Sequence, residues 1–199
     1  MLKIGLTGGI ASGKSALATL FSSFGIPVIN LDAISRDLVE PGEPALRDIV
    51  EHFGDHVLSS DGTLDRRQLR ELIYGSPSER EWLEALLHPL IRARQNELIN
   101  AASSPYVMIE IPLLVEKQLQ HSVDKVLLVD TPRALQLERA MKRDNASMDD
   151  IERILDIQAS REERLAIADD VVVNDGGLAE LQDQAEQLHH TYIALAANM

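Results

Sequence analysis

Residues 8–15 read GGIASGKS, with Gly8, Gly13, Lys14 and Ser15 in the pattern glycine, four residues, Gly-Lys-Ser. Glycines let the backbone take positive φ and approach a ligand closely. Successive N–H groups and a helix N-terminus can then converge on phosphate oxygens. In this pattern the lysine reaches the β and γ phosphates and the serine supplies a hydroxyl to magnesium. The loop needs a strand before it and a helix after it. Residues 2–7 are short, apolar and β-compatible, and residues 16–24 carry apolar side chains at helical spacing. The arrangement implies a bound nucleoside triphosphate, cradled by Gly9, Ile10, Ala11, Ser12, Gly13, Lys14 and Ser15.

A second chemical group follows in IPVINLDAISRDLVEPG, where Asp32 stands just past an apolar segment at residues 27–30. Phosphoryl transfer to an alcohol needs a carboxylate to accept the hydroxyl proton as the oxygen attacks in line. Asp32 suits that task, and it equally suits the N-cap of a helix beginning at Ala33.

A third group is cationic. Arg139, Lys142 and Arg143 lie three and four residues apart, so a helix would place them on one face. Like charges at that spacing destabilise an isolated helix by about 0.2–0.5 kcal/mol per pair, so an anion should offset them. A lid that brings guanidinium groups to the migrating phosphoryl charge is one reading. A solvated face with a Glu138–Lys142 pair is the other. Arg161 and Arg164 are weaker candidates for phosphate contact.

The elements that must position these groups alternate. Segments 106–111, 125–130 and 170–173 read as further strands, separated by helical patterns. Alternation implies a parallel sheet covered on both faces, with ligands at the carboxyl ends of its strands. About seventy residues separate the second strand from the third, which implies an inserted subdomain. Within it Ser76-Pro77-Ser78-Glu79 combines an N-cap, a first-turn proline and a capping-box glutamate. The stripe Leu83, Leu86, Leu87, Leu90 and Ile91 contains Pro89, so that helix should kink or break beside His88. Thr131-Pro132 opens another helix, and Ser147 with Asp150 caps the next.

Strands 106–111 and 125–130 carry Glu110 and Asp130 near their ends, either of which could assist Ser15 with magnesium. After the last strand comes NDGG, in plain terms a strand-to-helix turn containing Asn174 and Gly176.

The 199 residues suffice for one domain with insertions. The absence of cysteine excludes disulfides and thiol chemistry. The net charge of −13 argues against a general nucleic-acid binder, so any anionic ligand must meet local basic groups. No apolar run approaches the length of about 20 residues that a membrane span needs, and the start lacks a signal-peptide pattern. The expectation is a soluble cytoplasmic protein without nucleic-acid or membrane partners, a monomer or weak homo-oligomer. The tail from 177 to 199, with apolar Leu181, Leu188, Tyr192 and Leu195, should pack on the core rather than on a second copy.

Taken together, IGLTGGIASGKS, DAISRDLVEPG, DGTLDRRQLRELIY, LLHPLIR, IPLLVE, LERAMKRD and ILDIQASREERLAIADDVVVNDG make the chain resemble the dephospho-CoA kinase family over nearly its whole length. The resemblance implies a three-layer α/β P-loop kinase fold with a five-stranded parallel sheet in order 2-3-1-4-5. It also implies a single domain over 1–199, with an inserted helical substrate subdomain at 55–102 and a helical lid at 133–160. The implied reaction is ATP-dependent phosphorylation of the ribose 3′-hydroxyl of dephospho-CoA, with magnesium. Asp32 matches the second aspartate of the family's Asp-x-Asp stretch, the general base, whereas Asn30 replaces the first.

By the same resemblance Arg66, His88 and Arg92 belong to the region that receives the CoA moiety. Their own types suggest solvated or ion-paired arginines and a packed histidine. Arg139 matches the lid arginine, with Arg143 one turn further as an ATP contact. Asn174 and Gly176 fall in the adenine-binding turn. In such a sheet the third strand lies beside the first, which favours Glu110 over Asp130 for the metal. A nucleoside monophosphate, shikimate or another small alcohol is the alternative acceptor, against which LLHPLIR and PLLVE count. A guanine-nucleotide switch is disfavoured, because neither Asp-x-x-Gly nor Asn-Lys-x-Asp occurs.

Overall fold

The computed structural model describes residues 1–199 and divides into two compact units, residues 1–29 with 102–199, and residues 30–101. The expected insertion at 55–102 overlaps the second of these, which starts at Asn30.

The first unit is built on a five-stranded sheet in the order β2-β3-β1-β4-β5. Its strands are β1 (Leu2–Gly8), β2 (Val28–Asn30), β3 (Tyr106–Glu110), β4 (Lys125–Asp130) and β5 (Asp170–Val173). β1 pairs in parallel with β3, Leu2 opposite Tyr106, and with β4, Ile4 opposite Lys125. Central strands of such a sheet are buried on both faces, which is why β3 and β4 read as near-continuous apolar runs, while β1 alternates Leu2, Ile4 and Leu6 with Lys3, Gly5 and Thr7 and still buries Gly5 and Thr7.

One face carries the main core. Ile4, Leu6, Tyr106, Met108, Leu127, Val129 and Val172 meet Leu17 and Phe21 of α1 (Lys14–Ser23). Leu181, Ala185 and Tyr192 of α9 (Leu178–Ala196) complete it, with Leu188 and Leu195 packed alongside. The tail therefore buries its apolar positions against its own sheet, as expected. On the opposite face Gly5 leaves no room for a side chain, since a Cβ would lie 2.9 Å from Val123 and 3.1 Å from Leu114.

After β4 come α6 (Arg133–Asp144), α7 (Met148–Ile157) and α8 (Arg161–Ile167). Ser147 Oγ accepts the Asp150 N–H at 3.2 Å, the cap expected for α7. Ser160 and Glu163 close a full capping box on α8, which holds the Glu163 carboxyl below the usual carboxylate range. α6 and α7 share a small core of Ala140, Ile151 and Leu155, against which Ile10 and Ala11 of the phosphate loop pack.

The second unit is helical: α2 (Leu31–Asp37), α3 (Pro44–Phe53), α4 (Arg66–Tyr74) and α5 (Pro77–Ala101). Val39, Ala45, Ile49, Val57, Leu69 and Leu83 form its core, flanked by Trp82, Leu86, Leu87 and Leu90.

Two expectations need correction here. Of the kink or break expected beside His88, the break does not occur: α5 runs on through Pro89 as one helix of 25 residues. Proline removes a single intrahelical bond, and the packed leucines on both sides of it hold the helix across that gap. The Ser76 box also closes on one side only. Glu79 N–H donates to Ser76 Oγ at 3.4 Å, while the Glu79 carboxylate lies 2.5 Å from Nε2 of His52, whose ring stacks on Trp82.

Candidate active site

The phosphate loop joins β1 to α1. Gly13 holds φ at +99°, and a Cβ there would run into the side-chain amide of Asn174. A Cβ on Gly9 would lie 2.5 Å from Oε1 of Gln136. Gly13 demands glycine for packing and conformation, and Gly9 for packing. No side chain caps the start of α1, so its first turn is left to the loop. Lys14 Nζ donates to the carbonyls of Gly8 and Gly9, each at 2.8 Å. Ser15 is exposed at the beginning of the helix.

The loop is anchored from behind. Asn174 Nδ2 donates to the Ser12 carbonyl at 2.7 Å, with Thr131 Oγ1 at 3.0 Å from the same oxygen. Arg139 in turn donates to the Asn174 carbonyl at 3.0 Å. The structure thus brings Ser12, Gly13, Arg139 and Asn174 together. Asn174 is buried and its side chain faces the loop, whereas Gly176 is exposed two residues on. Arg143 stands apart from that group, exposed and forked on the Asp144 carboxylate, with two contacts of 2.7 Å. Glu138 and Lys142 form no ion pair.

The two strand-end acids differ in their commitments. Asp130 takes a bidentate grip from Arg161, at 2.7–3.1 Å, and Asp130 holds the Arg161 guanidinium above its ordinary pKa. Glu110 ends β3, the neighbour of β1, and is buried with Leu6 opposite it in the ladder. Arg164 is buried behind the loop, its Nη1 donating to the Ala159 carbonyl at 2.7 Å. Burial lowers its pKa, opposed by Glu116, Asp130, Glu162 and Glu163.

In the second unit Asn30, not Asp32, caps α2. Asn30 Oδ1 accepts the Ala33 N–H at 2.8 Å, and the helix starts at Leu31. Asp32 is left exposed in the first turn. It lines an open cleft with Ser35, Arg36 and Arg66. Arg66 reaches the Arg36 carbonyl at 3.4 Å, and Arg36 Nε the Asp32 carbonyl at 3.2 Å. His88 and Arg92 are exposed on α5 and are not among the residues lining that cleft.

Sequence reasoning missed Arg36, although Asp32 and Arg36 are one helical turn apart and that spacing was a usable signal. It also missed Gln136, Gln158 and Thr131 as supports of the loop. Nothing in their types marks them, because a hydroxyl on the Ser12 carbonyl, an amide oxygen on the Ile10 N–H and an amide donating to the Thr131 carbonyl have no periodicity.

A glycine loop at the carboxyl end of the first strand, in a parallel sheet of order 2-3-1-4-5, defines the P-loop kinases. Shikimate kinase from Acinetobacter baumannii shares the fold, with a TM-score of 0.53 at 15% identity over 98% of this chain and 94% of that one. The family model described as dephospho-CoA kinase matches residues 2–180. The chain is 48% identical to the dephospho-CoA kinase of Escherichia coli over 98% of its own length and 94% of the relative's. It is 47% identical to that of Hahella chejuensis over the same shares. Dephospho-CoA kinase from Campylobacter jejuni superposes with a TM-score of 0.71 at 27% identity, covering 99% of this chain and 98% of that one. The chain belongs to the dephospho-CoA kinase family.

Proposed function

We propose that this chain transfers the γ-phosphoryl group of ATP to the ribose 3′-hydroxyl of dephospho-CoA, giving coenzyme A and ADP, as a cytoplasmic enzyme. The observation that carries the reading is the Asp32 carboxylate, relieved of capping by Asn30 and set in a cleft with Arg36 and Arg66. A carboxylate beside two guanidinium groups suits an acceptor with a hydroxyl to deprotonate and phosphates to hold.

The loop from Gly9 to Ser15 cradles the triphosphate with the backbone N–H groups that are not already bonded within the protein, as those of Ile10 and Ser12 are, and Lys14 moves from the loop carbonyls to the β and γ phosphates. Arg139 stabilises the charge that builds on the migrating group, and Arg143 adds positive charge one turn along. Asp32 accepts the ribose proton as the oxygen attacks. Arg66, His88 and Arg92 hold the CoA moiety, and Asn174 with Gly176 borders the adenine.

No group of three or more acidic or histidine side chains is arranged to hold a metal. Ser15 and Glu110 would be the protein's contribution to holding magnesium beside the nucleotide. When bound it neutralises phosphate charge. The tail helix packs Leu181, Ala185 and Tyr192 against its own sheet, in keeping with a monomer or weak homo-oligomer.

The test is a coupled assay of ATP turnover with dephospho-CoA, AMP and shikimate offered separately. A 3′-phosphorylated product formed only from dephospho-CoA is expected. Turnover with none of the three would overturn the proposal.

A further inference from the structure

One peptide plane of the phosphate loop is held at both ends. Its carbonyl, that of Gly9, accepts the Lys14 ammonium at 2.8 Å and the Ser12 N–H at 3.3 Å. Its N–H, that of Ile10, donates to Oε1 of Gln158 at 2.9 Å, across 148 residues of chain. Gln158 ends α7 in extended backbone, φ −73° and ψ 155°. The backbone it projects from is tethered in turn. Ala159 N–H donates to Oε1 of Glu116 at 2.8 Å, the Ala159 carbonyl accepts from Arg164 at 2.7 Å, and Ser160 opens the capping box of α8.

A plane next to glycine needs such a hold. Gly9 lacks a Cβ, so rotation of the Gly9–Ile10 peptide meets little local steric resistance. Ile10 and Ala11 pack their side chains against the α6–α7 core, which fixes the path of the chain but not the tilt of that plane. Rotation would carry the Gly9 carbonyl off Lys14.

We infer that Gln158 is a positioning residue for phosphoryl transfer. By holding the Ile10 N–H it sets the Gly9–Ile10 peptide plane, and through that plane the point from which Lys14 engages the triphosphate. This rests on the ATP-dependent reaction proposed above and adds a residue to it. Because Gln158 stands where the α6–α7 pair ends, one side chain also ties the nucleotide loop to the base of the lid.

The experiment compares the full-length protein with Gln158→Ala and Gln158→Glu. It measures amide exchange at Ile10 by NMR, dissociation constants for a non-hydrolysable ATP analogue without acceptor, and steady-state constants for both substrates. Gln158→Ala should speed Ile10 exchange and weaken analogue binding about five- to tenfold. It should lower kcat/KM for ATP at least as much, leaving KM for dephospho-CoA within about twofold. Gln158→Glu keeps an acceptor oxygen at the same reach and should restore Ile10 protection. Unchanged Ile10 exchange in Gln158→Ala would overturn the inference. So would an equal loss of affinity for both substrates together with a lowered Tm, the mark of a merely structural residue. Exchange and analogue binding need no acceptor, so a wild-type protein inactive on dephospho-CoA would sink the functional reading while these two measurements still decide the case of Gln158.

Discussion

Asn30 performs the capping that would otherwise fall to Asp32: its Oδ1 takes the Ala33 N–H at 2.8 Å, two residues before a carboxylate left exposed at the start of α2. The two residues can therefore be separated by mutation. Asp32→Asn should lower kcat about a hundred- to ten-thousandfold, the span usual for a general base, with ATP binding and Tm retained. Asn30→Ala should instead cost about 1 kcal/mol of stability, and Asn30→Asp almost nothing, since aspartate caps as well as asparagine. Parallel kinetics and thermal melts of the three variants check this. An active Asp32→Asn enzyme would remove Asp32 from the chemistry.

Asn174 supports the loop through one donor. Asn174→Ala takes a hydrogen bond from the Ser12 carbonyl, whose residue is fully buried, and should cost about 1–3 kcal/mol while raising KM for ATP. Asn174→Asp should be worse, because a carboxylate cannot donate and would face a carbonyl oxygen. Gly13→Ala should abolish ATP binding, since it combines a φ of +99° with a collision against Asn174. Denaturant melts with and without ATP measure all three.

Much of the scaffold could be read from the chain because its signals are local and redundant. β4 and β5 occupy the expected residues, and the Ser147 cap lies where a serine precedes a helical pattern. The phosphate loop is legible for the same reason: strand, glycines and helix are contiguous. What eluded the sequence depends on distant partners. Asp32 and Asn30 are both good caps, and only the start of α2 at Leu31 decides between them. Asp130 and Glu110 both end strands, and only the fold brings Arg161 onto the first. At Pro89 the local rule left kink and break open, and the packing of a long helix removes the break.

The lid arginines should differ in weight. Arg139 is half-buried and bonded to the Asn174 carbonyl, close to the loop's anchor, whereas Arg143 is exposed on its neighbour Asp144. Arg139→Ala should lower kcat about a hundred- to thousandfold, the loss usual on removing a preorganised donor from a developing charge. Arg143→Ala should cost about fivefold, in keeping with an exposed pair worth about 1 kcal/mol or less. Single-turnover kinetics with saturating ATP separate the two, and equal losses would contradict the ranking.

His189 makes stability depend on pH. Its Nδ1 lies 2.7 Å from the Tyr106 hydroxyl under α9, and burial, reinforced by the positive charge of His190, lowers its pKa below the ordinary 6.5. The unfolded chain then binds a proton more readily than the folded one. Stability attributable to this group is present above pH 6.5 and is lost as pH falls through the lower folded value. Burial keeps the Tyr106 hydroxyl from ionising over the same range. Tm should therefore decline between pH 6.5 and 5 in the wild-type protein. In His189→Gln, which offers an amide oxygen that does not titrate, the decline should be shallower. Thermal melts across that range decide the matter, and identical slopes in the two proteins would assign the pH dependence to other groups.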